Sequence, residues 1–352
     1  MMPGLLARAN RQFVLAAAGF VGTMFYLTSG RPPHLGTDDV RYKQNVDPSI
    51  ARPSCRDLPG ANETLVVMKT GSTEIRHKLP VHLSTTLRCY SDYLIFSDVV
   101  EHFEGETTID ALEDVDPSLK ETHEDFELYR RLKQHGRSAL EPRELSGPVS
   151  RPQGSGGKPT NAGWRLDKWK FLPMMRRTLE EYPEKKWYVF VETDTFIFWR
   201  TTLAYLSALD WTRPYYMGGQ INIGDVEFAH GGSGYAVSRP ALELVVKHYV
   251  ENKRDWEEFT RNHWAGDCVL GKAFKDAGAP LTRAWPIWQG DDIGNMNYGR
   301  TDNSHRLWCH PTVSYHHLAP DVVKDLWDFE QGWALNGGEV GSRQTLFLGI
   351  VS

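Results

Sequence analysis

An α/β domain built on a mostly parallel central sheet flanked by helices is the fold class this sequence predicts, and three stretches predict it. Leu65-Val66-Val67-Met68, Tyr93-Leu94-Ile95-Phe96 and Trp187-Tyr188-Val189-Phe190-Val191 are short continuous runs of apolar, β-branched and aromatic residues. That is the composition of strands covered on both faces. The first run breaks into Lys69-Thr70-Gly71-Ser72, a glycine turn leading into a helix, and the second ends in Ser97-Asp98. Strand, helix and strand at this interval form a βαβ unit, whose crossover makes the two strands parallel.

The remaining elements read from their own patterns. The acidic stretch from Asp98 to Asp125 passes into Phe126 to Leu132, where Phe126, Tyr129 and Leu132 share one helical face and the charges meet water. Residues 141–163 are crowded with Pro, Gly and Ser and carry too little apolar surface to fix a conformation, so a flexible insert is expected there. A helix is expected from about Leu166 to Tyr182, interrupted or kinked at Pro173, and another from Arg239 to about Asn252. Val313 to His317 is apolar and β-branched enough for a strand. No internal repeat is visible.

Forty Lys and Arg against forty-five Asp and Glu leave a formal charge of -5. Such a balance gives no electrostatic reason to track a phosphate backbone, and nucleic acid is not an expected partner. Arg8 and Arg11 precede the uncharged stretch Phe13 to Leu27, which Arg31, Pro32 and Pro33 follow. This is the pattern of a secretory targeting segment. A spanning helix needs about 20 apolar residues, so an uncleaved signal-anchor at 13–30 is the expectation and a cleaved signal peptide the alternative. Residues 1–12 then form a short cytosolic tail and residues 31–62, rich in Pro, Asp and Arg, a stem. Asn62-Glu63-Thr64 is a glycosylation acceptor sequence. The four cysteines allow three pairings, of which Cys55 with Cys89 and Cys268 with Cys309 is the expected one in an oxidising lumen.

The chemistry concentrates after the third apolar run, which continues directly into Glu192-Thr193-Asp194-Thr195. Carboxylates at the C-terminal end of a parallel strand overlie the ligand crevice of an open α/β sheet, and two such oxygens can hold a hard divalent cation. A cation there neutralises a diphosphate whose charge grows as a bond to it breaks. Gly231-Gly232-Ser233-Gly234 either forms a tight turn or lets a ligand approach the main chain. Asp267 stands where a helix begins, a position at which capping is the ordinary use of a carboxylate. On a strand, His316 and His317 face opposite sides, so at most one readily reaches the cation beside Asp194.

Taken in order, Trp187 through Glu192-Thr193-Asp194-Thr195-Phe196, then Tyr216-Met217-Gly218-Gly219, then His230-Gly231-Gly232-Ser233-Gly234-Tyr235-Ala236-Val237-Ser238, the chain resembles glycosyltransferase family thirty-one. This family contains fringe and the core 1 β1,3-galactosyltransferase. The resemblance spans roughly residues 65 to 318 and is strongest from 187. It implies a GT-A type nucleotide-diphospho-sugar transferase fold over residues 63–335, followed by a C-terminal tail at 336–352. It further implies an inverting transfer of a hexose or N-acetylhexosamine from a UDP-sugar to a glycan or glycoprotein hydroxyl, with Mn2+ or another divalent cation.

Residue by residue, the resemblance makes Asp194 the principal metal ligand and His316, in Ser314-Tyr315-His316, the ligand that completes the site. Glu192 supports the metal or the ribose, and Asp267 is the general base. Lys69, Thr70, Gly71, Asp98, Lys168 and Thr193 fall on the nucleotide side. Gly231, Gly232, Ser233 and Gly234 line the donor and acceptor cleft. The chain departs from the usual three aspartates by carrying Glu192 and Thr193, which leaves open a catalytically silent, lectin-like or scaffolding protein on the same fold. Trp285 and Trp288, with Asp291 and Asp292, lie in a Gly- and Asn-rich loop that suits an acceptor wall. The expected setting is the Golgi or ER membrane with the catalytic domain lumenal, or secretion if the N-terminal segment is cleaved.

Overall fold

The structure, a computed structural model, describes residues 54–145 and 161–335 apart from 295, 303 and 304. The expected tail at 1–12, anchor at 13–30, stem up to residue 53, insert residues 146–160 and tail at 336–352 lie outside the described residues. Among the described residues no helix is long and apolar enough to cross a membrane.

A seven-stranded sheet organises the chain. Its strands are β1 (Thr64–Lys69), β2 (Asp92–Ser97), β3 (Ile109–Asp110), β4 (Trp187–Glu192), β5 (Tyr216–Gly218), β6 (Tyr235–Ser238) and β7 (Leu281–Arg283). They stand in the order β7-β5-β6-β4-β1-β2-β3. Only β6 runs against its two neighbours; every other pairing in the sheet is parallel. The expected mostly parallel α/β sheet is thus the fold observed. After β3 the chain returns to lay β4 on the free side of β1. That reversal makes the C-terminal ends of β1 and β4 the place where an open sheet leaves a crevice.

The flanking helices used below are α1 (Ile75–Ser84), α2 (Phe171–Glu181), α3 (Trp199–Ser207), α4 (Arg239–Glu251), α5 (Gly266–Asp276) and α6 (Pro320–Leu335). Leu65 and Val67 of β1 point to one face, with Tyr188, Phe190, Tyr235 and Val237, and meet α2, α4 and α5. Val66 and Met68 point to the other, with Val189, Val191 and Ala236, and meet Ile75 and Leu79 of α1 and Trp199, Leu203 and Leu206 of α3. Burial on both faces explains why these strands read as unbroken apolar runs rather than as alternation. Each such side chain gains about 1.5 to 3 kcal/mol from leaving water.

Four sequence expectations change. The helix expected over Leu166 to Tyr182 is two, Ala162–Asp167 and α2, and the break falls at Lys168-Trp169-Lys170 rather than at Pro173. Pro173 is the third residue of α2, where no i−4 carbonyl exists for its missing N–H. The strand expected over Val313 to His317 shrinks to Ser314–Tyr315, paired with Phe196–Ile197. The packed structure also begins before the expected stem boundary at residue 62: Cys55–Asp57 and Ala61–Glu63 form 3-10 turns, Ala61 is buried, and Cys55 is bonded to Cys89. The second expected disulfide is absent. Cys268 packs in the interior with Phe228 and Ala265, whereas Cys309 is exposed. A thiol enclosed by apolar side chains is not in position to meet one at the surface.

Helix α6 carries Glu330, whose carboxylate is buried and accepts a hydrogen bond at 3.1 Å from the Arg200 N–H in the first turn of α3. It covers an N–H that the helix itself leaves unpaired. Burial, only partly offset by Arg200, pushes its pKa up to about 7. The folded protein therefore binds this proton more tightly than the unfolded chain. The contribution is fully present below the ordinary carboxylate range and is lost as pH rises towards 7. Glu330→Gln, which keeps the acceptor oxygen, should leave stability near pH 5 little changed and raise the thermal midpoint at pH 8. Parallel melts at the two pH values measure this, and an equal shift at both contradicts it. Alkylating the unfolded, unreduced chain should label Cys268 and Cys309 alone, and mass spectrometry before and after reduction reads the pattern.

Candidate functional site

Parallel pairing of β1 with β4 sets Lys69 level with Glu192 at the crevice. The Lys69 ammonium lies 2.9 Å from Glu192 Oε1, is also paired with Asp167, and sits 4.5 Å above the Phe171 ring. Burial alone would lower its pKa, but Asp167 and Glu192 hold it above the usual lysine value, so it stays charged. Thr70 Oγ1 meets Thr193 Oγ1 at 3.3 Å. Asp98, fully buried, accepts from Ser72 N–H at 2.7 Å and pairs with Lys170 at 2.8 Å. A side chain at Gly71 would crowd Asp98 and Lys170, its first carbon only 3.1 Å from Asp98 Oδ2. Lys69, Thr70, Gly71, Asp98, Glu192 and Thr193 therefore converge.

Lys168 does not join them. Its ammonium is 2.9 Å from Asp125 Oδ2 and donates to the Arg261 carbonyl at 3.3 Å. The lysine in the crevice is Lys170, which also donates to the Thr70 carbonyl at 2.8 Å. The helix break at 168–170 turns the two lysines in different directions, and sequence spacing alone did not reveal that.

Beyond Glu192, Asp194 meets His316 and His317, and one nitrogen or oxygen from each of the three lies within 4.8 Å of the others. Asp194 Oδ1 is 3.4 Å from His316 Nε2. Both histidines reach the cluster because the strand has already ended at Tyr315 and His317 adopts a left-handed backbone, φ +59°. The two imidazoles stack with centroids 3.8 Å apart. Alternation along a strand, the reason to expect only one of them, no longer applies past Tyr315. Glu192 lies outside the cluster, its carboxylate engaged with Lys69.

The donor set suits a divalent cation. Asp194 Oδ1 is a buried oxygen with no hydrogen-bond partner, and such an orphan calls for one. Burial would raise the Asp194 pKa, yet Lys78 and His316 hold it well below the usual carboxylate range. His316 is raised by Asp194 against the effect of burial, while burial and His316 lower His317. One carboxylate with two imidazoles accommodates Mn2+, Fe2+ or Zn2+.

The glycine loop fits around this cluster. A methyl group at Gly232 would overlap the His316 ring, and Gly234 takes φ +73°, a conformation favouring glycine. Gly231 N–H donates to Asp267 Oδ2 and Cys268 N–H to Oδ1, both at 2.9 Å. Asp267 is the second residue of α5, so the cap position itself belongs to Ala265. Burial raises the Asp267 pKa, with His230 and the two N–H donors acting the other way. His230 bonds Ser233 Oγ at 2.8 Å, and its ring meets His316 edge-on at 5.3 Å.

Trp288 is buried and donates to the Ser233 carbonyl at 3.2 Å, so it supports the loop from behind instead of forming an acceptor wall. Trp285 is half-buried and Asn62 exposed. The sequence reading assigned no role to Lys170, Asp167 or His230, preferred His316 to His317 where the structure brings both to Asp194, and missed the pair Glu74 and Lys78. A Glu and Lys four apart, just after a glycine turn, was the available signal for that pair.

No family model matches the chain, and no curated protein matches it. Among solved structures 29 chains match. One is a glycosyltransferase involved in the glycosylation of the major capsid of PBCV-1, 10% identical, covering 75% of this chain and 98% of that chain, with a TM-score of 0.32. A likeness at that TM-score does not establish a shared fold.

Gly232→Ala should displace the His316 ring and weaken divalent-cation binding at least about tenfold, at a stability cost of about 1 to 3 kcal/mol from overpacking. Calorimetric titration with Mn2+ and a denaturant melt read the two effects separately.

Proposed function

We propose that this chain is a metal-dependent, inverting glycosyltransferase of GT-A type, related to family thirty-one, that moves a sugar from a UDP-sugar to a hydroxyl of a glycan or glycoprotein. The observation that carries the reading is the convergence of Asp194, His316 and His317 at the switch point of a parallel sheet. The motif order read from the sequence supports it. Asp194, His316 and His317 would hold a divalent cation, which would supply charge neutralisation for a departing diphosphate.

The chain's own residues supply the rest. Lys69, fixed by Asp167 and Glu192, keeps a positive charge at the nucleotide end of the crevice. The glycine loop brings main chain close to the sugar. Asp267, oriented by two N–H donors, takes the proton from the acceptor hydroxyl as its oxygen attacks the anomeric carbon on the face opposite the diphosphate. The Cys55–Cys89 disulfide and the exposed Asn62 support an oxidising lumenal setting, with residues 13–30 as the membrane anchor. One observation favours the silent reading: Lys78 already neutralises Asp194 at 3.0 Å.

With Mn2+, the full chain should release UDP from a UDP-sugar, and a chelator should stop it. Glycan binding that persists in chelator with no UDP release at any Mn2+ concentration would establish the silent reading. Asp194→Asn should abolish turnover and Mn2+ binding and lower the melting temperature, because Lys78 and His316 lose the charge they face, with a cooperative melt showing that the fold survives. Asp267→Asn should lower kcat about 10²- to 10⁴-fold with Mn2+ binding intact. Because the Asp267 pKa is raised, the working base is lost as pH falls through that value. The acid limb of the kcat/KM profile should therefore lie above the ordinary carboxylate range and vanish in Asp267→Asn.

A further inference from the structure

Asp194 offers two oxygens, and they are used differently. Oδ2 accepts from the Lys78 ammonium at 3.0 Å, while Oδ1, buried, has no hydrogen-bond partner and faces His316 Nε2 at 3.4 Å. Lys78 is itself fixed: it lies four residues after Glu74 across the start of α1 and meets Glu74 Oε2 at 2.7 Å. The Lys78 and Asp194 side chains are 11% and 12% exposed, so solvent does little to screen the pair. Thr70 Oγ1 reaches the other Glu74 oxygen at 3.5 Å, tying this arrangement to the turn after β1.

We propose that Lys78 is a positioning residue for the metal site: it occupies Asp194 Oδ2, leaves Oδ1 as the single carboxylate donor, and acts as a resident cation that weakens divalent binding. The inference rests on the metal reading of Asp194, His316 and His317. Its physical content is charge. With Lys78 matched to Asp194, and Glu74 on its far side, the two imidazoles and one free oxygen present little net negative charge to an incoming dication. An ammonium next to the ligand repels that dication. Both effects favour weak binding of the bare ion, and an anion such as a diphosphate, arriving with it, supplies the missing negative charge.

The test is Mn2+ binding to the full chain followed by electron paramagnetic resonance, without nucleotide or turnover. Lys78→Gln keeps an N–H for Oδ2 but removes the charge, and should tighten Mn2+ at least about tenfold relative to wild type. Lys78→Arg keeps the charge and should stay within about threefold of wild type. If Lys78→Gln fails to fold, as its melting curve would show, Lys78→Met carries the same expectation. Unchanged or weaker Mn2+ binding in the uncharged variants, with wild type binding measurably, overturns the role of Lys78 and leaves the metal site standing. Absence of Mn2+ binding in wild type and variants alike overturns both together. Tight binding confined to the uncharged variants supports the proposal in its strongest form.

Discussion

The parallel pairing of β1 with β4 is the constraint from which the crevice follows. Both strands are buried on both faces, so their register is set by apolar packing and not by the polar groups at their ends. Once Leu65 lies level with Tyr188 and Val67 with Phe190, Lys69 has to emerge beside Glu192, and Thr70 beside Thr193. A slip of one residue would send these side chains to the opposite face. The core thus fixes the chemistry at its edge.

Charges brought together in this way are expensive to bury, and the molecule offsets the cost by pairing them. Lys69 answers Asp167 and Glu192, Lys170 answers Asp98, and Lys78 answers Glu74 and Asp194. Removing one member of such a set leaves its partner uncompensated, which costs about 3 to 5 kcal/mol for a buried pair. Asp194 Oδ1 and Asp98 Oδ1 are both buried acceptors without a hydrogen-bond partner, but Asp98 Oδ1 has Lys170 at 2.8 Å, whereas Asp194 Oδ1 has only an imidazole beside it. Placed 3.4 Å from an imidazole, that oxygen marks where a ligand belongs.

The glycine loop shows the same economy of space. Gly232 packs against His316 and Gly290 against Ser233 at distances that exclude a side chain, while Gly231 lies tight against Phe171 and Asp267. These positions need glycine for close approach, and only Gly234 and Gly290 also need it for a left-handed backbone. The loop thereby joins Asp267 on α5 to His316 beyond the last strand, two groups far apart in sequence, through two consecutive residues, Gly231 and Gly232.

Three of the seven sheet strands, β1, β2 and β4, with the helix after β6 and the carboxylates ending β4, were legible because each depends on local pattern: unbroken apolar runs, helical spacing, and acidic residues directly following a strand; β3, β5, β6 and β7 are too short to show such a run. The pairing of Cys55 with Cys89 was also anticipated, within one short N-terminal stretch. What sequence could not supply depends on where separated segments meet. Cys268 and Cys309 stay apart because one is enclosed in the core and the other lies at the surface. Lys170 takes the crevice in place of Lys168 because a helix breaks between them. His317 joins His316 because the strand stops at Tyr315 and the backbone turns left-handed. Local patterning determined the elements and the residue types at their ends, since those follow from short-range periodicity. The tertiary structure alone decided which charges pair and which oxygen is left free, since those depend on directions that short-range periodicity does not encode.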